Sequence, residues 1–189
     1  VLMADSDDPT LHSASSPPTS PAHPPELTNV PPEQRFGKFI RTDKLGAGGM
    51  GEVWKAWDSQ LNRWVALKFL KGTDDDEIGR FIREAQTAGR LNHPHIAAIH
   101  EAGIAQGRHF IAMQYVAGQT LKKLPRNDRR ALALIVRDSA RAVDYAHEQG
   151  IVHRDIKPEN VMVVSRRHDH HAYVMDFGLA RSVEGDVSV

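Results

Sequence analysis

His153-Arg154-Asp155-Ile156-Lys157-Pro158-Glu159-Asn160 follows directly on Gly150, which ends a long helical pattern. The string therefore lies on a loop, where reactive groups are usually mounted on a rigid scaffold. Asp155 can take a proton from a hydroxyl, Lys157 can neutralise a phosphoryl group in transfer, and Asn160 can offer an amide oxygen to a metal ion. A plain charged surface loop would need neither this order nor this spacing.

Downstream, Asp176-Phe177-Gly178 comes 21 residues after Asp155, behind the strand-like Tyr173-Val174-Met175. Asp176 is a hard oxygen ligand suited to Mg²⁺. Taken alone the tripeptide says little. Another strand-like piece falls at 161–164. Upstream, a helix is expected from Asn127 or Asp128 to Gly150, with an apolar stripe of Leu132, Ile135, Val136, Ala140, Val143 and Ala146. Two short strands are expected before it, at 96–100 and 110–115.

Further upstream, Gly46-Ala47-Gly48-Gly49-Met50-Gly51 fits G-x-G-x-x-G. Dinucleotide-binding folds use the same string, but with a helix opening directly after it. Here Glu52–Trp57 and Trp64–Leu70 read as strands joined by turn residues, so they should pair antiparallel. A glycine loop between such strands suits a flap whose bare N–H groups approach phosphate oxygens. Lys68 ends the second strand, and Glu84 follows 16 residues later. The acids 74–77 open a helix that carries Glu84, at the edge of a stripe of Ile78, Phe81, Ile82, Ala85 and Ala88. Pairing Lys68 with Glu84 would satisfy both charges. The alternative is two unrelated side chains that reach water along their stems.

Composition is that of a soluble globular protein: 40% hydrophobic, 25% charged, mean hydropathy −0.45. Lys+Arg and Asp+Glu both number 24, so bulk charge gives no reason to expect a nucleic-acid or membrane-surface partner. With no cysteine, disulfides, thiolate catalysis and Cys-ligated zinc are excluded. Val1-Leu2-Met3-Ala4-Asp5 has no secretory character, and the longest apolar run, 131–136, is too short to span a bilayer. A cytoplasmic location is expected, with a membrane anchor in a longer parent chain left open. Residues 1–35 hold eight of the eleven prolines and are expected to be a disordered tail, a linker rather than a PPII ligand. His168-Asp169-His170-His171 has spacing that could ligate a metal, but reads better as a solvated hairpin loop.

Taken in order, the glycine flap, Lys68 with Glu84, the 153–160 string and Asp176-Phe177-Gly178 resemble the signature set of protein kinases. The resemblance covers residue 36 to the last residue. Lys157, two residues after Asp155, is the Ser/Thr form of the loop, and the wording around Met50 and Gln114 is similar to bacterial members of the eukaryotic-type family.

The resemblance implies an α+β, two-lobed fold. An antiparallel β N-lobe with one helix spans 36–113, a hinge 114–118, and an incomplete, mainly helical C-lobe 119–189. It implies ATP and Mg²⁺ as cofactors and a protein Ser/Thr hydroxyl as acceptor. Leu45, Val53, Ala66 and Met162 would enclose the adenine, with Met113 as gatekeeper and Gln114, Tyr115 and Val116 as hinge. The flap from Gly46 through Ala47, Gly48, Gly49, Met50 and Gly51 to Glu52 would cover the phosphates. Lys68 would hold the α- and β-phosphates and pair with Glu84. Asp155 would serve the hydroxyl, Lys157 the γ-phosphate, and Asn160 and Asp176 the metal. Arg154 goes with control by phosphorylation of the activation loop.

Three features depart from the family pattern. Ala117 stands where relatives carry an acid near the ribose. Ala88 is small where relatives set a larger side chain against Phe177. The sequence stops at Val189, before an A-P-E segment, so residues 1–189 alone are expected to be inactive and poorly folded. A pseudokinase or nucleotide-binding scaffold is the alternative reading. A small-molecule phosphotransferase of related fold is a third, disfavoured by Lys157 and the Asp176 motif.

Overall fold

The structure, a computed structural model, describes residues 30–48, 51–71, 74–166 and 169–177. Gly49, Met50, His168, Gly178, most of the expected N-terminal tail and the chain end lie outside the described residues.

Strands β1 (Arg35–Phe36), β2 (Phe39–Gly48), β3 (Gly51–Asp58), β4 (Arg63–Leu70), β5 (Ile99–Ala105) and β6 (Arg108–Gln114) form one antiparallel sheet, in the order β1-β2-β3-β4-β6-β5. Alternation along the strands gives the sheet two apolar faces. One carries Phe36, Phe39, Ala56, Leu67, Phe69 and Phe110, with edge-to-face aromatic contacts at 4.8–5.5 Å. The other carries Ala66, Ile111 and Met113, and packs on Phe81 and Ala85 of α1 (Asp75–Ala88). Asp74 caps α1, its carboxylate accepting from the N–H groups of Asp76 and Glu77 at 3.0 Å.

Two expectations shift here. Residues 30–35 belong to the fold rather than to a tail: Arg35 pairs with Ile40, and Val30 packs against Ile40 and Trp57. The strand expected at 96–100 begins instead at Ile99. Ile96 and Ala97 are drawn off the sheet to Val174, the Ala97 N–H donating to its carbonyl at 3.0 Å.

The six-stranded sheet ends at Gln114. A second sheet, β7 (Gln119–Thr120), β8 (Val161–Arg166) and β9 (Asp169–Val174), lies against α2 (Arg129–Glu148). The 3-10 turn Leu121–Lys123 precedes α2, and Asp128 caps it by accepting from the Ala131 N–H at 2.9 Å. The buried face of α2 is Ala131, Ile135, Asp138, Ala142 and Ala146, not the whole expected stripe. Ala142 and Ala146 pack with Val174 of β9, whereas Val136 and Ala140 are exposed. Val136 is 59% exposed and, with Ile156 at 54%, borders an open apolar groove of about 540 Å³.

Candidate active site

The described part of the flap is an antiparallel strand pair. Gly46 pairs with Val53, Ala47 with Glu52 and Gly48 with Gly51 across β2 and β3. Gly51 has φ +130°, and a Cβ there would stand 1.8 Å from the Phe69 carbonyl oxygen, so only glycine fits so close to β4. Val53 and Lys68 are opposite one another and share a face with Ala66 and Met113. Glu52 points to the other face, so its side chain lies away from Lys68. There it bonds Arg108 at 2.7 Å and Lys44 at 3.0 Å, and the Arg108 bond, helped by Lys44 against burial, holds its carboxyl at about 2.

Lys68 is buried, 6% exposed, and donates to Asp176 Oδ1 at 3.1 Å. The expected Lys68–Glu84 ion pair is not formed. Asp176 takes a left-handed backbone (φ 59°) that turns its carboxylate to β4, whereas Glu84 makes no ion pair among the described residues. Burial pushes the Glu84 carboxyl up, opposed first by Arg154 and then by Arg80, Lys68 and Arg83.

Downstream of α2 the chain folds around His153, which is buried. Its Nε2–H donates to the Met175 carbonyl at 2.7 Å, and its Nδ1 accepts the Asp155 N–H at 3.2 Å, so one tautomer satisfies both bonds. The ring leans on Phe177 with centroids 4.7 Å apart. Phe177 shares a buried cluster with Ala88, Leu91 and Ile151, so other side chains fill the space that the small Ala88 leaves. The Met175 N–H donates to the Asn160 carbonyl at 2.8 Å, tying the segment before Asp176 to the 153–160 loop.

Asp155 Oδ2 accepts from Lys157 at 2.7 Å and from Asn160 Nδ2 at 2.9 Å. The Lys157 bond, with help from Asn160 against desolvation, holds the Asp155 carboxyl below the usual carboxylate range. Asp155 in turn holds the Lys157 ammonium above its ordinary value. Among the described residues Asp155 Oδ1 has no partner, which leaves it free to meet a hydroxyl. Asn160 spends its Nδ2 on the Asp155 carbonyl and carboxylate, leaving its amide oxygen for a cation. That oxygen and the Asp176 carboxylate suit Mg²⁺, which commonly takes one or two protein ligands and completes its shell with water and phosphate. Arg154 also sits at positive φ, 65°, and strained residues of this kind gather at functional sites.

The hinge residues run between the sheets. The Gln114 N–H donates to the Ala98 carbonyl at 2.8 Å, Val116 is buried, and Met113 pairs with Ala66. Leu45 is half-exposed on β2, and Met162 lies on β8 opposite Tyr173. Ala117 is exposed. Two residues of structural weight were not singled out from the sequence. A Cβ on Gly118 would meet the Val163 carbonyl oxygen at 2.4 Å, so the chain there lies against β8. His153 organises the loop, and burial of a histidine has no local signature. His170 and His171 lie on β9, and no cluster of three or more metal-type ligands forms among the described residues.

A flap, a buried lysine facing an acid, and an Asp-Lys-Asn loop between two lobes define a protein kinase. The protein kinase domain profile matches residues 39–189, and the chain belongs to that family. It is 43% identical over 156 residues to the serine/threonine-protein kinase PknD of Mycobacterium tuberculosis, covering 78% of this chain and 23% of PknD. It is 40% identical over 170 residues to the serine/threonine-protein kinase PknB of Mycobacterium leprae, covering 84% of this chain and 27% of that protein. The crystal structure of the Mycobacterium tuberculosis PknI kinase domain superposes with a TM-score of 0.64 at 37% identity, covering 78% of this chain and 62% of that one. The chain thus spans about a quarter of the length of these curated relatives.

Proposed function

We propose that this chain carries the nucleotide-binding and catalytic residues of a protein kinase that transfers the γ-phosphoryl group of ATP to Ser or Thr hydroxyls of proteins. The observation that carries the reading is the Asp155–Lys157–Asn160 cluster, with an unpartnered Asp155 oxygen, joined through Asn160 and Met175 to the Asp176–Lys68 pair. Asp155 Oδ1 orients the substrate hydroxyl and receives its proton. The hydroxyl oxygen forms the new bond to the γ-phosphorus as the bond from that phosphorus to the β–γ bridging oxygen breaks, and ADP leaves. Lys157 offsets charge on the transferring group, and Lys68 meets the α- and β-phosphates. Asn160 and Asp176 would hold Mg²⁺, which supplies neutralisation of phosphate charge.

In the structure Lys68 and Asp176 neutralise one another. An incoming polyphosphate competes for the first and a cation for the second, so nucleotide and metal are expected to bind together. The test is phosphoryl transfer from ATP to a Ser/Thr protein by the complete protein, with Asp155→Asn as control. Transfer that survives in the variant would reject the role of Asp155. Tight ATP binding with no transfer in the wild type would favour a nucleotide-binding scaffold.

A further inference from the structure

The chain has no net charge, yet Lys122, Lys123, Arg126, Arg129 and Arg130 gather five cations into nine residues. One acid, Asp128, lies among them, and its carboxylate caps α2. All five cations are exposed. The backbone beneath them is anchored: Leu121 and Leu124 pack with Ile135, Val161 and Val163, and Ala131 is buried. The segment thus turns its apolar side chains inward and its charges outward. Lys123, Arg126, Arg129 and Arg130 form no ion pair among the described residues, whereas Lys122 reaches Glu159 at 2.8 Å. Glu159 stands between Lys157 and Asn160, so this bond ties the cationic surface to the edge of the candidate catalytic loop. The 3-10 turn Leu121–Lys123 also packs on the turn Pro158–Asn160.

Local stability does not account for these charges. Arg129 and Arg130 open α2, where the helix dipole favours acids and disfavours cations. Residues that break a local rule without a local gain are candidates for function.

We propose that this surface selects substrates: it binds a carboxylate-rich peptide segment flanking the hydroxyl to be phosphorylated. The proposal rests on the kinase reading above and adds the substrate class to it. Several exposed cations on a segment that meets the catalytic loop through Lys122 and Glu159 raise the local concentration of an acidic segment and fix its register. A nucleic acid or a membrane fits less well. Residues 121–131 contain no aromatic side chain to stack on bases, and both leucines are engaged in the core rather than free to enter lipid.

The test compares two peptides on the complete protein, one with Glu on both flanks of a Ser and one with Gln in their place. The Glu peptide is expected to have the higher kcat/KM, by about tenfold and mostly through KM. The gap should shrink between about 0.1 M and 1 M salt as the screening length falls from about 10 Å to about 3 Å. Joint reversal of Lys123→Glu, Arg126→Glu, Arg129→Glu and Arg130→Glu should remove or invert the preference, with turnover of the Gln peptide kept within about twofold. These positions are exposed, and acids suit the first turn of α2, so the variant is expected to fold. Equal use of both peptides by the wild type overturns the proposal and leaves the kinase reading standing. A preference that survives the reversal also overturns it. Phosphorylation of neither peptide defeats the kinase reading itself, and the proposal with it. Binding to phosphatidylserine vesicles that the reversal abolishes, with a peptide ratio near one, would assign the surface to a membrane instead.

Discussion

Lys68 is the side chain whose surroundings are most demanding, because a buried ammonium persists only with a partner, and its partner is Asp176 at 3.1 Å. Lys68→Met keeps the length of the stem and removes the charge. It is expected to abolish phosphoryl transfer in the complete protein while the melting temperature changes little; normal turnover at unchanged stability would remove Lys68 from the site. The metal assignment is tested separately. Asn160→Ala and Asp176→Ala should each raise the Mg²⁺ concentration needed for half-maximal activity, because each removes one oxygen ligand. Identical Mg²⁺ titrations for both variants and the wild type would place the metal elsewhere. Asn160→Ala also strips a donor from Asp155, so its fall in rate at saturating Mg²⁺ should exceed any change in nucleotide affinity.

The β2–β3 hairpin concentrates two element-scale effects. Gly51→Ala sets a methyl group 1.8 Å from the Phe69 carbonyl oxygen at a φ that side chains avoid. It should destabilise the protein by about 1–3 kcal/mol or more. Gly48→Ala meets nothing within 4 Å and should be nearly neutral, so equal denaturation midpoints for the two variants would contradict the packing of the flap on β4. Across the same hairpin the Glu52 carboxyl is held at about 2, against an ordinary 4.5. A depressed carboxyl pKa contributes stability that is full above the unfolded value and is lost as pH falls through the folded one. The stability gap between wild type and Glu52→Gln should therefore be constant above about pH 5 and narrow between about 4.5 and 2. A gap that widens on acidification would refute the Arg108 pairing as its source.

At the scale of the whole molecule, α2 divides its two apolar flanks between different surroundings. Ile135 is fully buried against Leu124, Val161, Val163 and Ala172, whereas Val136 is 59% exposed beside the groove. In the complete protein Ile135→Ala should cost about 2–5 kcal/mol, clearly more than Val136→Ala. Urea denaturation of the two variants checks this, and similar losses would mean that the groove is closed. The polypeptide of residues 1–189 should bind a hydrophobic dye at the groove, and Val136→Lys should weaken that binding.

The order of elements was legible before any folding, because its signals are local: glycines at a flap, the acids 74–77 opening one helix, a start at Asn127 or Asp128 for the other, period-2 and period-3.6 apolar patterns, and a reactive string after Gly150. The candidate site was legible too, since Lys68, Asp155, Lys157, Asn160 and Asp176 stand in motifs that resemble the protein-kinase signature set. Pairing between distant residues had to wait for the packed chain. Lys68 faces Asp176 rather than Glu84 because backbone geometry at Asp176 and the placement of α1 set which carboxylate arrives. The apolar stripe of α2 is legible in the same way, but which of its residues are covered is not. Val136 is the more apolar of the pair, yet Ala142 is the one buried, because α2 packs on β9 through Ala142 and Ala146 and Val136 faces the open groove. His153 became legible only when the Met175 carbonyl and the Asp155 N–H were seen on either side of its ring, because hydrogen-bond partners 22 residues apart leave no mark in a local pattern.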